Sequence, residues 1–213
     1  MKTNLNLQNG KSVAEAVQAR RSIKHFDPSH VMSEEEIHFL LEHTLLSPTA
    51  FNIQHWRFLQ LQDPELRKAV REASWNQPQI TDASLVVVLC MDLKAWDREP
   101  QRYWRQAPPH VRDNIVNDIR RSYENNALGA RDEAMRSCSL AAMTLMLLAE
   151  SIGYQSCPMG GFDYEKVSKL IQLPPDHEIC FIVTIGKALQ EAHPRGGQIA
   201  LDELYYRDRF PPA

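Results

Sequence analysis

The sequence predicts an α+β protein, in which a central sheet of four or five strands is enclosed by helices within a single domain, residues 1–213. Three observations carry this. Two apolar, β-branched runs, Leu85-Val86-Val87-Val88-Leu89 and the stretch 179–185, have the unbroken hydrophobicity of strands covered on both faces. The segment 56–61 alternates in part, as a half-buried strand does. The longest apolar stretch, 140–149, belongs to a helical segment over about 131–152 and is far short of the ~20 residues that cross a bilayer.

The remaining elements follow in chain order. Residues 13–19 form a short helix with Val13, Ala16 and Val17 on one face, ending at the basic cluster Arg20-Arg21-Ser22-Ile23-Lys24. Asp27-Pro28 breaks the pattern. Ser33-Glu34-Glu35-Glu36 is a capping box, so a helix starts there and turns Ile37, Leu40, Leu41 and Leu45 inward. It stops near Ser47-Pro48, because the residue before a proline avoids helical geometry. Asp63-Pro64 opens another helix, with the aspartate as cap and the proline in the first turn. Between the two apolar strands lies a charged segment, 97–133, broken at Pro108-Pro109. The tail, 201–213, carries Tyr205, Tyr206 and Phe210 among alternating charges, an aromatic content that calls for a packing partner.

Composition narrows the function. The apolar share is 43%, the charged share 24% and the net charge −3, which argues against disorder and against nucleic acid or an anionic membrane as partner. The polar N-terminus lacks the apolar stretch of a secretory signal, so a cytoplasmic protein is expected. Cys90, Cys138, Cys157 and Cys180 include no C-x-x-C pair and read as reduced core thiols. His38 and His43 have finger-like spacing, but no cysteine pair precedes them and no H-E-x-x-H occurs, so no metal is expected. G-x-G-x-x-G, Walker A and G-x-S-x-G are all missing, which argues against a Rossmann domain, a P-loop nucleotidase and a serine hydrolase.

Three segments retain chemical interest. Arg20, Arg21, Ser22 and Lys24 put two guanidiniums, a hydroxyl and an ammonium within five residues, a set suited to phosphate oxygens. Alone, such a cluster is also what a solvated helix C-terminus carries. In 47–56, the carboxamides of Asn52 and Gln54 would project to one side of an extended chain, offering donors and acceptors together; an ordinary turn with an Asn cap is the alternative. Gly160-Gly161 lets main chain approach a flat ligand, or simply makes a helix-to-strand turn. Together they suit an anionic aromatic cofactor without naming it.

Taken in order, these segments resemble the nitroreductase family of flavoproteins. The family's R-R-S-x-R/K stands at 20–24 and its S-P-S-x-x-N-x-Q-P-W at 47–56. Asn76 follows, ahead of Asp82-Ala83-Ser84 and the valine run, then Gly153-Tyr154, Pro158-Met159-Gly160-Gly161-Phe162-Asp163, Gly186-Lys187 and Pro194-Arg195-Gly196-Gly197-Gln198. The likeness spans about residues 13–210.

The resemblance implies a nitroreductase-like fold with a mostly antiparallel sheet, an intertwined homodimer with FMN at the subunit interface, and NADH or NADPH as electron donor. It puts Arg20 and Ser22 on the phosphate, with main chain at Arg21 nearby, and Lys24 at the N1/O2 edge, where negative charge accumulates on reduction. Asn76 would bond the pyrimidine edge. Pro48, Thr49, Ala50, Asn52 and Gln54 would reach the cofactor from the partner subunit. Pro158 and Met159 would lead into Gly160 and Gly161, whose main chain would face N5. The second phosphate-binding cation would be Arg195, with Lys187 as the alternative, because the family's K-x-R is reduced here and Gln198 stands at its last arginine. His55 replaces the usual proline, and Thr49-Ala50 a commoner Ser-Ser.

The segment 97–128, with Tyr103, Trp104 and Tyr123, would cover the flavin as a lid, 201–213 would pack on the partner subunit, and 1–11 would be flexible. The implied chemistry is two half-reactions, hydride from NAD(P)H to flavin N5 and then onward to a nitroaromatic, quinone or related electrophile. It depends on stacking and orientation and on no titrating side chain. A reductase or dehydrogenase for an enone or aldehyde, and a non-catalytic flavin-binding module, are the alternatives.

Overall fold

The two apolar runs become the two inner strands of one antiparallel sheet. The computed structural model describes residues 10–211. Its strands are β1 (Trp56–Gln60), β2 (Leu85–Asp92), β3 (Gln155–Met159) and β4 (His177–Gly186), in the order β1-β2-β4-β3. All eight residues of β2 are buried. Successive side chains of a strand point to opposite faces, so Leu85, Val87, Leu89 and Met91 enter one core and Val86, Val88 and Cys90 another.

The first core is filled by α2 (Glu34–Thr44) and α6 (Ala127–Ser151). Along α6, Ala134, Cys138, Ala141, Ala142, Leu145 and Ala149 are buried at helical spacing, and their small side chains let the helix lie close to the sheet. The second core is closed by Val70 of α3 (Pro64–Glu72), Ile80 of α4 (Gln79–Asp82) and Val167 of α7 (Tyr164–Leu170), with Phe26 and Phe162. The chain begins with α1 (Val13–Ala19); α5 (Pro109–Tyr123) and α8 (Leu201–Leu204) complete the helices.

Local rules explain the starts. Ser33 and Glu36 make the expected capping box on α2, and Ser12 and Glu15 make another on α1. Asp63 caps α3 with Pro64 in its first turn. Several expectations need correction. Val13 and Val17 are 75% and 48% exposed, so of the apolar face expected on α1 only Ala16 is buried. Leu45 lies beyond the end of α2, exposed. The stretch before Gly160, where no strand was expected, is strand β3, and Ser22 forms a parallel bridge to its Ser156 with Ile23 N–H donating to Ser156 O at 3.1 Å. β1 borders the opposite side of the sheet, beside an open groove.

All four cysteines are free and buried, and burial pushes the Cys90 thiol up to about 12. Among the described residues no helix is long and apolar enough to cross a membrane. The expectation for residues 1–9 lies outside the described residues; Lys11 is bound to Ser151 O through its amide and to Glu150 through its ammonium.

Candidate functional site

At Arg20 the chain leaves α1 in extended geometry and runs beside β3. Ile23 and Phe26 turn into the core, which leaves Ser22 and Lys24 exposed on the outer side. Arg20 and Lys24 have no acidic partner among the described residues, but both act on Cys157: burial raises that thiol's pKa, while Lys24 and then Arg20 pull it down. The loop after β4 folds back onto the same place. Arg195 Nη2 donates to Gln18 O at 3.1 Å and Arg20 O at 3.2 Å, and Arg21 donates to His193 O. Three guanidiniums and one ammonium are thus collected around the end of α1. Lys187 is engaged differently, donating to Gly153 O at 2.6 Å with its ammonium 3.8 Å from the Tyr154 ring centroid. Of the two alternatives, Arg195 is the one joined to the Arg20 cluster.

The turn after α3 supplies the next part. Trp75 and Asn76 both have left-handed φ, 53° and 57°, unusual for consecutive non-glycine residues and typical of functional sites. Asn76 is exposed, and Gln77 Nε2 donates to Gly161 O at 2.9 Å. Trp75, 71% exposed, lies against Gly161 so closely that a Cβ there would come within 2.6 Å of Cζ3. A side chain at 161 would have to push this exposed ring aside. Met159 is buried in the sheet core and Pro158 pairs in register with Val183, so these two offer at most their main chain on the outer side. Two hydroxyls nearby, Ser74 Oγ and Ser156 Oγ, are buried without a partner among the described residues.

The third part is the 48–54 turn. The sequence suggested an extended chain; instead a 3₁₀ turn, Ala50–Asn52, carries left-handed φ at Phe51 and Asn52, and Gln54 just after it has left-handed φ too. The two carboxamides nevertheless meet, with Gln54 Nε2 3.2 Å from Asn52 Oδ1. A second 3₁₀ segment, Pro100–Trp104, is fastened to this turn: Asn52 Nδ2 donates to Tyr103 O and Trp104 Nε1 to Phe51 O. Tyr103 donates to Ala95 O, and Tyr123 is buried against Trp96 with Phe51 edge-on. The aromatics expected in a lid therefore anchor the turn. A groove of about 1040 Å³ opens between this turn, β1 and α2, lined by Asn52, Gln54, Arg57, Arg102, Tyr103 and Trp104 among others.

Pro48 is exposed, while Thr49 and Ala50 are half-buried. Beneath Thr49 lies His55, 1% exposed, its Nδ1 3.5 Å from Thr49 Oγ1 and its Nε2 without a partner. Thr49 Oγ1 is also 2.9 Å from Ser137 Oγ of α6. Burial lowers the His55 pKa to about 4, against an upward pull from Glu133 and Asp92 and with a smaller push down from Arg57.

One further polar cluster, Asp92, Asp176 and His177, is crossed by guanidiniums: Arg57 Nη2 lies 2.7 Å from Asp92 Oδ2, and Arg98 binds Asp176. It is a neutralised network at the end of the sheet.

The structure thus gathers Arg20–Lys24, Arg195, Asn76 and Gly160-Gly161 into one group and holds Pro48–Gln54 in another; among the described residues no hydrogen bond joins the two groups. Cations without acidic partners, unsatisfied hydroxyls and a glycine pair beside an exposed indole suit a flat ligand that ends in phosphate, such as FMN. Sequence reasoning missed Trp75 and Ser137, and noted His55 only as a replacement for the family's proline. The Gly-Gly pair gave a hint of Trp75, since a close approach needs something to approach.

A model of the nitroreductase family matches residues 17–187. Protein DrgA of Synechocystis sp. is 48% identical over 178 residues, covering 84% of this chain and 85% of DrgA. YodC of Bacillus subtilis, provisionally named an NAD(P)H nitroreductase, is 32% identical over 184 residues, 84% of this chain and 91% of YodC. The structure is similar to a provisionally named nitroreductase of Exiguobacterium sibiricum solved in complex with FMN, with a TM-score of 0.87 and 29% identity, covering 94% of this chain and 99% of that one.

Proposed function

This chain belongs to the nitroreductase family and is an NAD(P)H-dependent FMN oxidoreductase, and we propose that it reduces nitroaromatics, quinones or related electrophiles in two half-reactions. When bound, FMN would supply the hydride chemistry between NADH or NADPH and the acceptor.

The protein's own part is binding, orientation and charge. Arg20, Ser22 and Arg195 hold the phosphate, with main chain at Arg21 beside them. Lys24 lies along the ring's pyrimidine side and offsets negative charge there, and Asn76 bonds that edge. Main chain at Gly160 and Gly161 meets the reactive edge, with Trp75 alongside. Pro48, Thr49, Ala50, Asn52 and Gln54 act on the cofactor of a second copy. The observation that supports this reading is the division into two groups: among the described residues no hydrogen bond joins the cation and glycine group to the carboxamide turn. A homodimer supplies both, with the tail 201–213 packed on the partner. Leu201, Leu204, Tyr205, Tyr206 and Phe210, all exposed in the single chain, support that packing.

The test is direct. Purified protein should be yellow, release FMN on heating, sediment as a dimer and lose its oxidised-flavin absorbance when mixed anaerobically with NADH or NADPH. Acceptors that restore the colour identify the substrate class. If nitroaromatics and quinones fail while an enone or aldehyde succeeds, the proposed acceptors are wrong; if the flavin never bleaches, the half-reaction scheme is wrong.

A further inference from the structure

The residue at 55 departs from the proline expected there, and it is buried with one ring nitrogen lacking a partner among the described residues. A proline needs no hydrogen bond; a buried imidazole does, so this choice has a cost that some contact must offset.

The protonation pattern follows from which atoms can be left alone. Burial keeps the ring neutral near pH 7, so it carries one N–H. An orphaned buried N–H is rarer than an orphaned lone pair. The proton therefore belongs on Nδ1, which faces Thr49 Oγ1 at 3.5 Å, and the bare lone pair falls to the unpartnered Nε2. The same reasoning applies to Ser137, which is 0% exposed and whose hydroxyl has Thr49 Oγ1, 2.9 Å away, as its one hydrogen-bond partner among the described residues. Its proton has nowhere else to go, so Ser137 donates and Thr49 accepts.

Thr49 Oγ1 then accepts twice from inside the protein. Its own proton must turn outward, and Thr49 is half-buried on the rim of the 48–54 turn. We propose that His55 and Ser137 are positioning residues that set the Thr49 hydroxyl as an outward hydrogen-bond donor to an acceptor atom on the flavin held by the second subunit. This rests on the reading that the turn reaches a partner's FMN. Proline at 55 could not impose that direction, because it has no side-chain donor.

A double-mutant cycle on FMN affinity and on the visible spectrum of the bound flavin tests it. Thr49→Val and His55→Leu should each weaken FMN binding about three- to tenfold, the size of one hydrogen bond, and alter the flavin spectrum in the same way. The pair combined should be no worse than Thr49→Val alone, because the outward donor is already gone. His55→Asn, which keeps an N–H near the Nδ1 position, should stay within about twofold of the unaltered protein. Packing alone predicts losses that multiply and no rescue by asparagine; either result, or undiminished affinity in His55→Leu, would overturn the relay. If leucine at 55 prevents folding, the cycle of Thr49→Val with Ser137→Ala decides by the same criteria. Failure of the unaltered protein to bind FMN at all would overturn both the relay and the family-based site, whereas tight binding with multiplying losses would overturn the relay alone.

Discussion

Replacing His55 by leucine should flatten the dependence of folding stability on pH between about 4 and 6.5. The ring is 1% exposed, and its pKa falls from 6.5 to about 4, chiefly because burial disfavours the charged form. The unfolded chain takes up this proton near pH 6.5; the folded chain does so only near 4. Between those values the unfolded state binds more protons, so stability rises with pH across the window and is lost as the pH is lowered. The displacement corresponds to roughly 3 kcal/mol in full at 1.36 kcal/mol per pH unit, of which about 2 kcal/mol is lost between pH 7 and pH 5. Urea unfolding of the two proteins at matched FMN concentration, at about pH 7, 6 and 5, measures this. The other histidines, and the charges facing His55 from Glu133, Asp92 and Arg57, are common to both proteins and largely cancel in the difference. The leucine variant should gain about 2 kcal/mol relative to the original between pH 7 and pH 5. Parallel stability profiles would refute a buried, neutral imidazole at this position.

Arg20→Ala should weaken FMN binding by about 10- to 150-fold, the loss of a charge-assisted hydrogen bond of about 1.5–3 kcal/mol. It should leave the melting temperature of the apoprotein nearly unchanged, since no acidic partner is orphaned; unaltered FMN affinity would remove Arg20 from the site. Lys24→Gln should make the flavin midpoint potential more negative by roughly 30–60 mV, read by anaerobic dye equilibration, because a cation that stabilises the reduced form is lost. Gly186→Ala should destabilise the fold by about 1–3 kcal/mol in urea melts. An added Cβ there meets Phe26 Cδ1 at 3.0 Å and the Ser84 main-chain nitrogen at 3.2 Å, and the fully buried ring has little room to yield.

The sequence disclosed those parts of the fold that obey short-range rules. Ser33 with Glu36 and Asp63 with Pro64 announce helices because capping is settled within four residues. The valines of β2 announce a central strand because both their faces are covered. β3 stayed hidden: Gln155, Ser156 and Pro158 lack strand character, and it is register with β4 that holds them extended. In the site, the basic cluster, the carboxamides and the glycine pair were visible as residue types, and the structure brings the first and last together. Left-handed φ at Trp75, Asn76, Phe51 and Gln54 was not legible, because tertiary contacts impose it against local preference. The direction of a hydroxyl proton at Thr49 was further out of reach, since it depends on Ser137, 88 positions away along the chain.

The two borders of the sheet are not equivalent. At β3, main chain from Ser22 and Ile23 covers the rim, whereas β1 has no strand on its outer side among the described residues and presents Leu59 at 38% exposure. An uncovered rim is a template on which another chain's strand can crystallise into a ladder, and Arg57, the second residue of β1 and ion-paired to Asp92, is the kind of charge that discourages such stacking. Exchanging Arg57 for an aliphatic residue would remove that guard and leave the buried Asp92 carboxylate with Arg98, 3.6 Å away, as its remaining guanidinium. Insolubility during refolding, ahead of any loss of chemistry, is the expected first symptom of damage at this strand.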